Sequence, residues 1–187
     1  MSMEQETLIY VEENDKSEAR ILAQSFAKKE IKSRAYINAL GAELGMKYLA
    51  LENITGSRLY NMHSVHRILE EFDISDIMLN NIHIDVRVVF DENYIFVPKS
   101  HFEYDILPDI YFVLLLSEDQ SHAAFLGFFE PKLINKNNQN KDYYFIEKEK
   151  LTPPSGLKSF IENFKGNTTH SLSAVENEKA EFLMLSM

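Results

Sequence analysis

Two apolar runs, IYFVLLL over 110–116 and AAFLGFF over 123–129, are separated only by the polar string Ser117 to His122, and few folds can accommodate both. A strand that is apolar at nearly every position must be covered on both faces, so this pair is expected at the centre of the molecule. Just upstream, Ile84, Val86, Val88 and Phe90 alternate with His83, Asp85, Arg87 and Val89, and Asp91-Glu92-Asn93 then turns the chain into Tyr94-Ile95-Phe96-Val97. Alternation with period two gives one buried and one wetter face. The stretch 83–129 is therefore predicted to form two β-hairpins in succession.

Before this core the chain has helical spacing. From Ser17, Ile21, Leu22, Ser25 and Phe26 fall on one stripe, with Asp15 or Ser17 as cap. Over 34–51, Tyr36, Ile37, Leu40, Leu44, Met46, Tyr48 and Leu49 give a broader apolar face despite Gly41 and Gly45. A short third helix is expected over 63–72 and a short strand from Asp76. The last strand begins at Tyr143 and ends at Pro153-Pro154, and a turn or two of helix follows over 159–164. Residues 1–165 are read as a single α+β domain, with helices at about 17–72 and strands at about 77–150. Residues 166–187 are read as a flexible C-terminal tail.

Charge narrows the partners. Nineteen basic against twenty-nine acidic residues leave the chain at −10, a sign that repels phosphate backbones, so nucleic acid is not expected as a partner. Cysteine is absent, which removes disulfides and thiolate metal sites. The first thirty residues fit neither a signal peptide nor a membrane anchor, and a cytoplasmic protein without membrane contact is expected.

Several segments, in order, carry a resemblance. AYINALGAELGMKYL, ISDIMLNNIHIDVRVV, YIFVPKSHF, DIYFVLLLSEDQSHAAFLGFF and LTPPSGLKSFIENF resemble the N-terminal region of the largely cyanobacterial family "domain of unknown function eighteen twenty-two". Tyr36, Ile37, Asn38 and Leu40 match its first helix, Val97 and Pro98 its proline segment, and Leu126, Gly127 and Phe128 its last strand. The likeness covers roughly residues 20 to 164. That family has no established activity, so the resemblance implies an architecture and no catalytic residue.

Four groups of residues could carry chemistry. His63, His66 and Glu70 stand at i, i+3 and i+7, a helical stripe with three metal-ligand types, although ordinary solvated helix positions account for them. Glu43, Asp85 and Lys99 resemble the acidic and basic set of restriction-nuclease-like magnesium sites. Val97 occupies the place where such sites need a glutamate, so Asp85 is expected to be held by Arg87, Lys99 or solvent. His101, Glu103 and Asp105 lie with Lys99 between Pro98 and Pro108, and are read as a solvated loop rather than a general base and its partners. Tyr143, Tyr144 and Phe145 could stack bases, but strand burial accounts for them better.

These observations give an α+β domain with N-terminal helices packed on a mostly antiparallel sheet of about five strands, curled or closed into a small barrel. No catalytic residue, cofactor or metal is assigned. The expected role is a non-enzymatic protein-binding or regulatory module whose partner is another protein. The alternative is an enzyme or degenerate nuclease acting through Glu43, Asp85 and Lys99.

Overall fold

The computed structural model describes residues 7–26, 28–58, 73–74, 76–91 and 93–164. The elements run β1 (Leu8–Tyr10), α1 (Glu13–Gln24), α2 (Lys29–Leu51), β2 (Ser57–Arg58), β3 (Asp76–Leu79), β4 (Ile82–Val89) and β5 (Tyr94–Pro98). A single helical turn, α3 (Ser100–Glu103), leads into β6 (Ile110–Leu116), β7 (His122–Phe129), β8 (Tyr143–Glu147) and α4 (Leu157–Asn163). Six strands form one sheet in the order β1-β7-β6-β4-β3-β2, and β5 and β8 form a separate antiparallel pair. Among the described strands of the large sheet only β4 and β6 run parallel. The α+β class and the mostly antiparallel sheet agree with the sequence reading. No helix among the described residues is long and apolar enough to cross a membrane.

The predicted second hairpin forms, with β6 antiparallel to β7. The first does not. β4 is already paired on both edges, antiparallel to β3 and parallel to β6, so the chain leaves the sheet at Phe90 and β5 pairs with β8 instead. The competing signal is Asn80-Asn81, a two-residue turn between Leu79 and Ile82 in which Asn80 takes a left-handed φ of 55°. Such turns favour Asn because its side chain lowers the cost of that conformation. Residues 90–109 therefore serve as the crossover that every parallel pair requires.

This crossover explains why β6 is apolar throughout. One face of the sheet, with Ile84, Val86, Ile110, Phe112 and Leu114, is buried under α1 and α2. The other face, with Val89, Tyr111, Val113 and Phe129, is buried under Ile95, Val97 and Ile146 of the β5–β8 pair. Three layers enclose two cores, and each fully buried large side chain contributes about 1.5–3 kcal/mol.

Both helices start before their patterns suggest, α1 at Glu13 with Glu12 rather than Asp15 or Ser17 as its cap and α2 at Lys29, while α1 ends at Gln24, short of Ser25 and Phe26. Asp15, which is buried, accepts from the Glu12 backbone N–H at 2.7 Å and from Lys47 Nζ at 2.6 Å, so one carboxylate starts α1 and ties it to α2. Gly45 lets α2 lie against the sheet: a Cβ there would come within 2.7 Å of Ile77 Cδ1 and 3.1 Å of Val86 Cγ2.

Gly127 is placed by a different demand. Its φ of +138° is one that side chains rarely adopt, and a Cβ would sit 2.3 Å from the Thr152 carbonyl oxygen. Thr152 must come this close because it exchanges two backbone hydrogen bonds with Phe128, closing the 151–154 segment over β7. Gly127→Ala is expected to destabilise the protein by about 1–3 kcal/mol through backbone strain. Urea denaturation measures this, and an unchanged midpoint would mean that Thr152 does not bind at that edge.

Candidate functional site

The β5–β8 pair has two unlike faces because its side chains alternate. Ile95 and Val97 point into the second core, whereas Tyr94 and Phe96 point outward and are 54% and 47% exposed. Register places Phe145 opposite Phe96 and Tyr143 opposite Pro98. On this outer face Phe145 meets Phe96 at 5.3 Å and Tyr94 at 6.4 Å between ring centroids, and Phe96 meets Tyr143 at 6.1 Å, all edge to face. That arrangement is the favoured one for ring quadrupoles. The far edge of β8 is closed by the preceding loop, where Phe145 N–H donates to the Asn138 carbonyl and Gln139 bridges to Tyr144. Tyr94, Phe96, Phe145, Asn138, Gln139 and Glu147 together line an open hollow of about 520 Å³.

Phe96 and Tyr143 also border a second cleft. One lobe, about 400 Å³, is lined by Arg34 and Asn38 of α2 with Asp73, Arg87, Phe96 and Tyr143. The other, about 360 Å³, adds Lys99, Glu103, Lys141 and Asp142 and shares Arg34, Asp73 and Tyr143. Burial pushes the Tyr143 hydroxyl above its ordinary pKa, an effect that Asp73 strengthens and Arg34 and Arg87 oppose, so this phenol stays protonated at neutral pH.

Beneath the cleft lies a buried polar network. Arg87 Nε pairs with Asp85 at 2.5 Å, and its Nη1 stands 3.5 Å from Asp73. Its Nη2 donates to the Asp73 backbone carbonyl at 3.0 Å. Burial works against the guanidinium charge, but Asp85 and then Asp73 outweigh it and hold the Arg87 pKa above its ordinary value. The same Asp73 carbonyl accepts from His101 Nε2 at 3.0 Å, which leaves His101 Nδ1 to accept from the Tyr111 hydroxyl at 2.9 Å. Asn38 Nδ2 donates to the Asp73 side chain at 2.8 Å. Asp73 thus joins α2, β4 and α3.

The residues singled out in the sequence fall differently. Asp85 is only 1% exposed and faces Arg87, so a cation there would have to displace a buried guanidinium. Lys99 starts α3, with its ammonium 5.5 Å over the Tyr144 ring. Glu43 lies on α2, and neither it nor Asp85 lines the cleft beside Lys99. His63, His66 and Glu70, and the tail 166–187, lie outside the described residues. Among the described residues, no group of three or more His, Asp or Glu is placed to hold a metal ion. His101 corrects the solvated-loop reading, since it is 1% exposed and sits in a helical turn rather than an open connector. Tyr144 is packed against Phe102 at 5.2 Å, so only its two neighbours, Tyr143 and Phe145, face outward.

The outer aromatic face was missed because Tyr94-Ile95-Phe96-Val97 is apolar at every position and does not tell which alternate pair is inside. Its closeness to Asp91-Asn93, a polar turn at the surface, was the available signal.

The family described as protein of unknown function (DUF1822) matches residues 9–175. No curated protein and no solved structure matches the chain.

Proposed function

Because the chain belongs to the DUF1822 family, whose description assigns no activity, we propose its role from its surface: a module that binds another protein through the outer face of β5–β8. The observation that carries this reading is the clustering of Tyr94, Phe96, Tyr143 and Phe145 on one side of a two-stranded layer. Scattered apolar side chains on a surface are ordinary; contiguous aromatic ones beside a polar rim mark interaction sites. Aromatic residues also dominate the energetic centre of interfaces. The layer beneath is firm, since Ile95, Val97 and Ile146 are buried on the large sheet and hold the outward rings in register.

The double variant Tyr94→Ser/Phe96→Ser tests the role. Both side chains are about half exposed but lose edge-to-face contacts worth about 0.5–1.5 kcal/mol each, so a thermal melt must show the variant folded at the temperature of the capture. Affinity capture from the source cells is expected to retain a stoichiometric partner with the parent chain and to lose it with the variant. The same partners recovered at the same yield by both proteins would remove this face from consideration.

A further inference from the structure

We infer that the hollow on the outer face of β5–β8 receives the cationic side chain of a basic peptide segment, a Lys or Arg held among Tyr94, Phe96 and Phe145 and against Glu147. The inference rests on the docking role proposed above and names the chemistry of what docks. Phe145 stands at 88° to Phe96 and 61° to Tyr94, so the three rings wall a hollow on more than one side instead of forming a flat stack. A cation within about 6 Å of such ring faces is attracted by their quadrupoles, and the attraction grows as water is displaced.

The local charge agrees. Glu147, exposed and opposite Tyr94 in the strand register, supplies a carboxylate at the rim, and no Lys or Arg among the described residues lines the hollow. The Asn138 and Gln139 amides add carbonyl acceptors for an ammonium or guanidinium. The chain already uses this chemistry nearby, with Lys99 over Tyr144 on the inner side of this layer at 5.5 Å and Lys136 over Phe102 of α3 at 4.9 Å. The net charge of −10 steers basic partners toward the protein and disfavours phosphate-rich ones.

Two short peptides of Gly and Ser serve as probes, one carrying a central lysine and the other a central norleucine, which keeps the aliphatic stem and removes the charge. Titrated into the full chain and followed by NMR, the lysine peptide is expected to shift the Tyr94, Phe96 and Phe145 resonances. It should bind about fivefold more tightly than the norleucine peptide, the factor an exposed cation–π contact gives. Glu147→Gln should narrow that ratio. Equal binding of the two peptides, a ratio untouched by Glu147→Gln, or no binding of either would overturn the cationic occupant. The docking role is judged separately by capture with Tyr94→Ser/Phe96→Ser, so loss of the partner there together with any of these results rejects the inference and keeps the role.

Discussion

Arg87→Met is expected to cost about 3–5 kcal/mol, the range seen when one partner of a buried ion pair is removed. The cost comes from what is left behind. Asp85 is almost fully buried and would keep a carboxylate facing an apolar thioether, and Asp73 would lose a guanidinium from both its side chain and its backbone carbonyl. Methionine retains most of the volume, so the loss reports charge rather than a cavity. Neutralising Asp85 as well, in Arg87→Met/Asp85→Asn, should recover only part of the stability, because the most deeply buried carboxylate is removed while Asp73 still lacks its guanidinium. Urea denaturation of the three proteins measures this. If the single variant is as stable as the parent, the network under the cleft contributes nothing to holding Asp73 in place.

Phe112→Ala should cost about as much, roughly 3–5 kcal/mol, by a different mechanism. Phe112 is fully buried in β6, with its ring 4.8 Å from Phe125 and 6.5 Å from Tyr48. Truncation would leave a void between the sheet and α2 that two rigid rings cannot easily fill. Phe112→Leu, which keeps much of the volume, should lose distinctly less. Thermal melts of the two variants would contradict this account if alanine and leucine behaved alike. A loss of this size approaches the whole stability of many domains.

How far the sequence reveals this structure depends on whether a residue's fate is decided locally. The β6–β7 pair was legible because continuous apolar strands joined by a polar turn leave one arrangement open. The pairing of Asp85 with Arg87 was legible because the two stand two positions apart on one strand face. β5 was not. Its apolar run directly after a polar turn suits a hairpin with β4, and only the occupation of both β4 edges, by β3 across a two-residue turn and by β6 further along the chain, sends it to β8. His101 was misread for a related cause: the neighbouring prolines and charges describe a surface connector, while its burial is imposed by Tyr111 and Asp73. The candidate site suffered most, since an outward ring and an inward ring are the same letter in the chain.

The parallel contact between β4 and β6 also bears on how the molecule assembles. The β3–β4 and β6–β7 ribbons are joined by turns of a few residues and can form early at small entropic cost. Their union must wait until residues 90–109 have closed into a loop, and the β5–β8 layer must wait longer, because its strands are separated by both β6 and β7. The aromatic surface is therefore expected to form after both ribbons. Until it is in place, the apolar face carrying Tyr111, Val113 and Phe129 lies open to water.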